Sequence, residues 1–386
     1  MAVFRAAQRV ASLPPGFFGE MDRRVAQARA RGVDVIDLSK GNPDLPTPPA
    51  IVRAMQRAVA DPVHHRYPAA TPLPSLARAI AAAYARDHGV TVDPEAEVAA
   101  FHGSHEALLA AFQGLVDPGA TVVLPEPGYP AYRSLAALAG AGIAELRLDP
   151  ARGYRPDARG FAGADEAALV VLNSPHNPTG ALVDAAEVGE VLALAERLGA
   201  ALVHDFAYSS LGFSGRPLSA LAVDASGERT VEISTLSKTY SMAGWRLGFA
   251  AGNASLIAAM RRYQSHALST IFGATQEAAA AALSGDQDAA EALVEVYRAR
   301  RDAVVAALRE SGWRVEAPGG TFFVWLAVPG DDGAFAARLL EEHGVAVAPG
   351  SGFGPGGAGH VRIGLVHDEA TLRAALARFP APEASA

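Results

Sequence analysis

The sequence predicts an α/β protein: a mostly parallel central sheet flanked by helices, joined to a smaller α+β unit. Three observations carry that prediction. Apolar runs at 121–124, 168–172, 201–204, 231–234 and 247–251 are continuous rather than alternating, as expected of strands covered on both faces. Alanine- and leucine-rich stretches of helical period separate them. After residue 308 the texture changes to short strands around a single helix.

Taken in order, the elements support this reading. A helix over 107–115 follows Phe101-His102-Gly103-Ser104-His105-Glu106, where glycine and serine mark a start. Residues 187–198 place Val188, Val191, Leu192, Ala195 and Leu198 on one helical face. Residues 277–308 read as long helices broken near Ser284-Gly285. Beyond them, Arg314-Val315-Glu316, Phe322-Phe323-Val324-Trp325 and Val361-Arg362-Ile363-Gly364 read as strands around a helix over 335–343. The first 45 or so residues are expected to pack with this unit. The expected division is therefore a large domain over 46–285 and a small one formed by 1–45 and 286–386.

Composition narrows the function. Half of the 386 residues are hydrophobic, which excludes a disordered chain and suffices for two cores. The net charge of −8, from 33 basic and 41 acidic residues, gives no nucleic-acid footprint. With no cysteine, disulfides, thiolate metal sites and cysteine nucleophiles are excluded. The opening Met1-Ala2-Val3-Phe4-Arg5 through Pro14-Pro15 lacks a signal-peptide core, and no apolar run approaches the ~18 residues of a membrane span. A cytoplasmic protein is expected.

Chemistry gathers around Lys238. It lies in Ser234-Thr235-Leu236-Ser237-Lys238-Thr239-Tyr240, with Arg246 eight residues on and no acidic neighbour. A lysine serves either as a solvated charge or as an amine that forms a Schiff base, and these small, hydroxylic neighbours describe a pocket. Strand ends supply further groups. Val170-Val171-Leu172-Asn173 runs into Ser174-Pro175-His176-Asn177-Pro178-Thr179-Gly180, where the prolines stop any helix. Asn177 is then either part of a plain turn or presented where open α/β sheets bind ligands. Asp205, after the apolar 201–204, either caps a helix or meets a cation, and Tyr208 can reach the same ligand.

Gly103 and Ser104 at a helix start form either a simple cap or an anion site. His102, His105 and Glu106 lack further ligands at zinc spacing, so no metal is expected there. Tyr129, in Pro125-Glu126-Pro127-Gly128-Tyr129-Pro130-Ala131-Tyr132, either packs in its turn or offers a flat ring to a ligand. The glycine-rich stretch 350–359 lacks the spacing of a dinucleotide fingerprint. Phe17, Phe18, Phe322 and Phe323 either fill a core or line an apolar side-chain pocket.

Together, Asn177-Pro178-Thr179-Gly180, Asp205 with Tyr208, and the lysine segment with Arg246 resemble the class I/II aminotransferases, the fold type I pyridoxal-phosphate enzymes. The resemblance spans essentially the whole chain, from Gly41-Asn42-Pro43-Asp44 to Val361-Arg362-Ile363-Gly364. It implies pyridoxal 5'-phosphate as cofactor, with Lys238 forming the imine link and moving the proton between Cα and C4′. It implies that Asp205 holds the pyridine nitrogen protonated. Tyr208 and Asn177 would bond the ring oxygen, and Tyr129 would stack on the ring. Ser104, the amides near Gly103 and His105, Thr235, Ser237 and Arg246 would hold the phosphate. Thr235 departs from the serine usual there but keeps the hydroxyl. Arg362 would clamp the substrate α-carboxylate, which the Gly41 backbone approaches. Tyr67 would reach the phosphate of a neighbouring subunit, so a homodimer is implied.

The activity implied is transfer of an amino group from an L-amino acid to a 2-oxo acid, with 2-oxoglutarate as the expected acceptor, in a ping-pong scheme. A β-lyase, a decarboxylase-like enzyme or an oxygen-using enzyme would share these residues. A regulator carrying this fold would need a DNA-binding head, for which the roughly 40 residues before Gly41 are too few. The stretches Gly41–Pro49 and His64-His65-Arg66-Tyr67-Pro68 resemble the subgroup containing methionine and LL-diaminopimelate aminotransferases. A neutral or medium-sized amino acid is the expected donor.

Overall fold

Five parallel strands form the centre of an eight-stranded sheet in the computed structural model, which describes residues 4–224 and 226–382. In chain order the strands are β1 (Val98–Phe101), β2 (Thr121–Glu126), β3 (Gly142–Asp149), β4 (Arg155–Pro156), β5 (Leu169–Asn173), β6 (Ala201–Asp205), β7 (Thr230–Thr235) and β8 (Gly248–Gly252). Their spatial order is β1-β8-β7-β6-β5-β2-β3-β4. Strands β3, β2, β5, β6 and β7 pair in parallel, whereas β8 runs antiparallel to both of its neighbours.

The continuous apolar runs have a simple cause. Along β5, Leu169 and Val171 enter one cluster with Phe101 and Phe112, while Val170 and Leu172 enter another with Val191 and Leu194. Both faces are covered, so both sets of alternating side chains are hydrophobic. The helix Ala185–Arg197 that covers one face starts with a capping box between Asp184 and Glu187.

A second sheet of three antiparallel strands has the order β9 (Phe323–Ala327), β11 (His360–Gly364), β10 (Ala348–Pro349). The helix Asp332–His343 packs with it, capped by the Asp331 side chain. The N-terminal segment lies on this side: Ile36–Asp37 pairs in parallel with Val345–Ala346, and Val25 and Ala28 pack with Leu340. Residues 1–3 and 383–386, at the ends of the expected small domain, lie outside the described residues.

The long helices separate near Gly285, into Gly273–Ser284 and Asp288–Glu310. From the second, Arg300 makes a bidentate pair with Asp44 at 2.7 and 2.8 Å, which ties down the loop after Gly41.

Two expectations need correction. Residues 314–316 form no strand. The Val315 carbonyl is taken by the Arg309 guanidinium at 2.8 Å, so it is not free for a ladder. At residue 104 the helix begins one position earlier than a serine cap would require: Gly103 is the cap, and Ser104 is the first helical residue. Among the described residues no helix is long and apolar enough to cross a membrane.

Candidate active site

β5, β6 and β7 end side by side, and their last residues open the site. Asn173 pairs with Asp205 in register, Asp205 with Ile233, and Thr235 closes β7. The carboxyl edge of a parallel sheet leaves a crevice at this place. Here it is a cavity of about 310 Å³. Of the residues that the resemblance assigns to cofactor or substrate, all but Tyr67 and Gly103 line it.

Lys238 sits in the one-turn helix Leu236–Thr239, where the Thr235 hydroxyl accepts from the Ser237 N–H. Its Nζ donates to the Gly41 carbonyl at 2.8 Å. Burial, then the charges of Arg362 and Arg246, lower its pKa to about 8. The Thr235 hydroxyl lies 2.9 Å from Ser237 Oγ and 3.1 Å from the Leu247 carbonyl, so it is engaged locally as well as facing the cavity.

Asp205 is buried. Its Oδ2 accepts from the Tyr132 hydroxyl at 2.5 Å and its Oδ1 from the Ala207 N–H at 3.2 Å. Burial raises its pKa, and these two donors act against that rise. Tyr208 is buried edge-on to Phe322 and Phe323, and burial pushes its phenol upward, so the phenol stays protonated. Tyr129 packs edge-on to Tyr132.

Arg246 holds a left-handed backbone at φ 55°, with Ser241 likewise at φ 52°. Non-glycine residues in that region mark strain that functional loops retain. The Arg246 guanidinium lies against Gly103, where a Cβ would come within 2.6 Å of Nη2. Gly103 also has φ +87°, so both space and conformation require glycine there. Gly41 is similarly constrained, since a Cβ would meet the Phe323 ring at 2.7 Å.

Arg362 reaches the cavity from β11 and is 1% exposed. Nη1 donates to Asn177 Oδ1 and Nη2 to the Ser39 carbonyl, each at 2.9 Å. Nε has no partner, and the guanidinium stands 3.9 Å over the Phe323 ring. No carboxylate forms an ion pair with it among the described residues. Burial lowers its pKa to about 10.

Of the four phenylalanines, Phe18 and Phe323 line the cavity. Phe17 packs with the Trp325–Phe353 cluster, and Phe322 is core. Tyr67 is 96% exposed and stands outside the cavity.

Sequence reasoning passed over several residues. Asn173 donates to the Asp205 carbonyl and accepts from the Asn177 N–H, locking two strand ends together. Tyr132 was visible only as the end of a turn motif, and its reach to Asp205 depends on the fold. Met21, Asp22, Lys40 and Asn42 complete the rim.

The donor set fits pyridoxal phosphate. It offers an amine without a carboxylate partner, a buried carboxylate with lone pairs to spare, and serine hydroxyls beside an exposed arginine at a helix start.

Comparisons with known proteins show the family. The family described as aminotransferase class I and II matches residues 33–379. The chain is 44% identical to the L-glutamine–4-(methylsulfanyl)-2-oxobutanoate aminotransferase of Bacillus subtilis, over 97% of this chain and 96% of that one. It is 40% identical to the LL-diaminopimelate aminotransferase of Desulforudis audaxviator, over 97% of each. Substrate-bound BacF from Bacillus subtilis superposes with a TM-score of 0.94 at 39% identity, covering 97% of each chain. Fold, donor set and relatives converge: the chain belongs to the class I and II aminotransferases, a pyridoxal-phosphate-dependent family.

Proposed function

We propose that this aminotransferase moves the amino group of a neutral, medium-sized L-amino acid to 2-oxoglutarate. The observation that carries it is Arg362, a buried cation with an unpartnered Nε in the same cavity as Lys238. One such cation suits the α-carboxylate that every donor and acceptor shares. Around it, Phe18, Met21 and Phe323 offer apolar surface to a side chain. The glutamine and methylsulfanyl compound in the name of the Bacillus subtilis relative support a neutral partner.

In this reading each residue has a stated task. Pyridoxal phosphate, when bound, supplies the electron sink for the pair released at the substrate Cα. Lys238 Nζ would take the substrate Cα proton and return it to the cofactor C4′; a pKa of about 8 keeps part of the amine neutral near physiological pH. Asp205, held by the Tyr132 hydroxyl, would bind the ring nitrogen. Asn177 and the protonated Tyr208 would bond the ring oxygen. Tyr129 would stack on the ring. Ser104, Ser237, Thr235 and Arg246, with the amides near Gly103 and His105, hold the phosphate. Arg362 and the Gly41 backbone fix the α-carboxylate.

A panel of amino donors against 2-oxoglutarate tests the reading. Neutral donors such as methionine and glutamine should lead by about tenfold in kcat/KM. Release of pyruvate and ammonia without oxo-acid turnover would overturn it.

We also propose a homodimer. The exposed Tyr67 lies in chain sequence beside the exposed Val63, and the helix Pro49–Val59, which carries the exposed Val59, packs against the helix Gly273–Ser284 next to Phe272. That is a face suited to a second copy. Sedimentation should give a species of twice the 39.8 kDa chain mass, and a monomer at micromolar concentration would refute it.

A further inference from the structure

A ping-pong enzyme of the proposed kind must admit a neutral side chain in one half-reaction and a dicarboxylic acid in the other. The same pocket has to accept both. A fixed unpaired cation would suit the acid and penalise the neutral partner, whereas a wholly apolar wall would do the reverse.

The cavity rim holds a device that suits both. Residues Phe18, Met21 and Asp22 of the helix Phe17–Ala30 face the cavity at i, i+3 and i+4. The first two are apolar and the third is a carboxylate. Opposite stands Lys40, whose Nζ is 2.7 Å from Asp22 Oδ1 and 3.7 Å from Asp37 Oδ2. The longer contact is to the Asp37 oxygen that Ser39 leaves free, since the Ser39 N–H and hydroxyl both donate to Oδ1.

Lys40 is also well placed in the chain. Its neighbour Ser39 holds Arg362 through its carbonyl, and its other neighbour Gly41 holds Lys238 in the same way. The Lys40 stem therefore starts between the α-carboxylate arginine and the reacting amine, and its ammonium ends at the rim. The side chains of Lys40 and Asp22 are 48% and 57% exposed. A pair so exposed is weak and exchanges partners readily.

We propose that Lys40 is the specificity residue for a side-chain carboxylate and that Asp22 is its gate. With the pair closed, the Lys40 charge is balanced by carboxylates and a neutral side chain lies on Phe18 and Met21. When a dicarboxylic 2-oxo acid enters, the Lys40 ammonium leaves Asp22 for the distal carboxylate. The inference rests on the assignment of Arg362 to the α-carboxylate.

Steady-state kinetics of the holoenzyme with 2-oxoglutarate and with a neutral 2-oxo acid of similar length test it. Lys40→Met should lower kcat/KM for 2-oxoglutarate about tenfold and leave the neutral acid within about twofold. Asp22→Asn should raise kcat/KM for 2-oxoglutarate about threefold, on the scale of a half-exposed ion pair, with the neutral acid again unmoved. The double variant should behave like Lys40→Met alone, because the gate acts through the lysine.

An equal fall for both acids in Lys40→Met, or no gain in Asp22→Asn, overturns the proposal while leaving the site assignment standing. Wild-type enzyme that uses the neutral acid but not 2-oxoglutarate overturns it as well. A wild-type holoenzyme that transaminates neither acid overturns the site assignment and this inference with it.

Discussion

Lys238→Ala should lower kcat by about 10⁴-fold, the upper range for loss of a positioned proton carrier, and leave the fold in place. The structural cost is small because Nζ makes one bond, to the Gly41 carbonyl. Losing that donor is worth about 1 kcal/mol. Circular dichroism and thermal melting should therefore stay close to wild type while turnover disappears. A variant retaining a tenth of wild-type kcat would show that another group moves the proton. The amine also carries a pH signature. Burial first, and then the positive charges of Arg362 and Arg246, disfavour the ammonium and bring its pKa to about 8 from 10.5. The neutral amine therefore dominates above pH 8 in the cofactor-free protein, well below the range of an exposed lysine. The rate of labelling by an amine-selective reagent, followed at residue 238, should rise with a midpoint near 8. A midpoint near 10 would place the amine in solvent instead.

Why was so much of this site legible in the sequence? Asp205 ends a buried strand, and Asn177 and Lys238 come within a turn after one, so their positions are set by the chain a few residues away. An apolar run of strand length announces where the edge of the sheet falls, and the polar residue after it lands in the crevice. Arg362 was legible only through the family resemblance, which implied its hold on the α-carboxylate. What escaped notice depends on distance along the chain. Tyr132 meets Asp205 across 73 positions, and Ser39 meets Arg362 across 323. No local pattern encodes those meetings.

The errors were also local preferences overruled by the fold. Val315 has a strand-like setting, yet its carbonyl goes to Arg309. Ser104 is a favourable cap, yet Gly103 takes the cap because only glycine fits beneath Arg246 at φ +87°. The Asp22–Lys40 pair joins a helix face to a loop, and neither residue stands out in its own segment.

Arg362→Met should separate function from stability more clearly than any other substitution in the site. The guanidinium is 1% exposed, surrounded by the rings of Phe323, Phe353 and Phe18 at 3.9, 4.8 and 5.3 Å, and bonded only to neutral oxygens. A buried cation without a counter-charge is destabilising, and its pKa of about 10 reflects that burial. The fold thus holds the cation ready, and an arriving carboxylate finds it already stripped of water. Methionine keeps much of the volume and removes the charge. It should cost about 3–4 kcal/mol in the binding of α-carboxylates, read as a fall of about 10²- to 10³-fold in kcat/KM for every amino and oxo acid. Thermal stability of the cofactor-free protein should hold or rise, since replacing buried charge by apolar volume is neutral to stabilising. The released Ser39 carbonyl and Asn177 side chain limit the gain. Arg362→Lys should recover only part of the activity, because an ammonium cannot reproduce the two-pronged contact. If Arg362→Met instead lost several degrees of melting temperature and kept its kcat/KM, the arginine would be a structural tie between β11 and the Ser39 loop, and the α-carboxylate would need another partner.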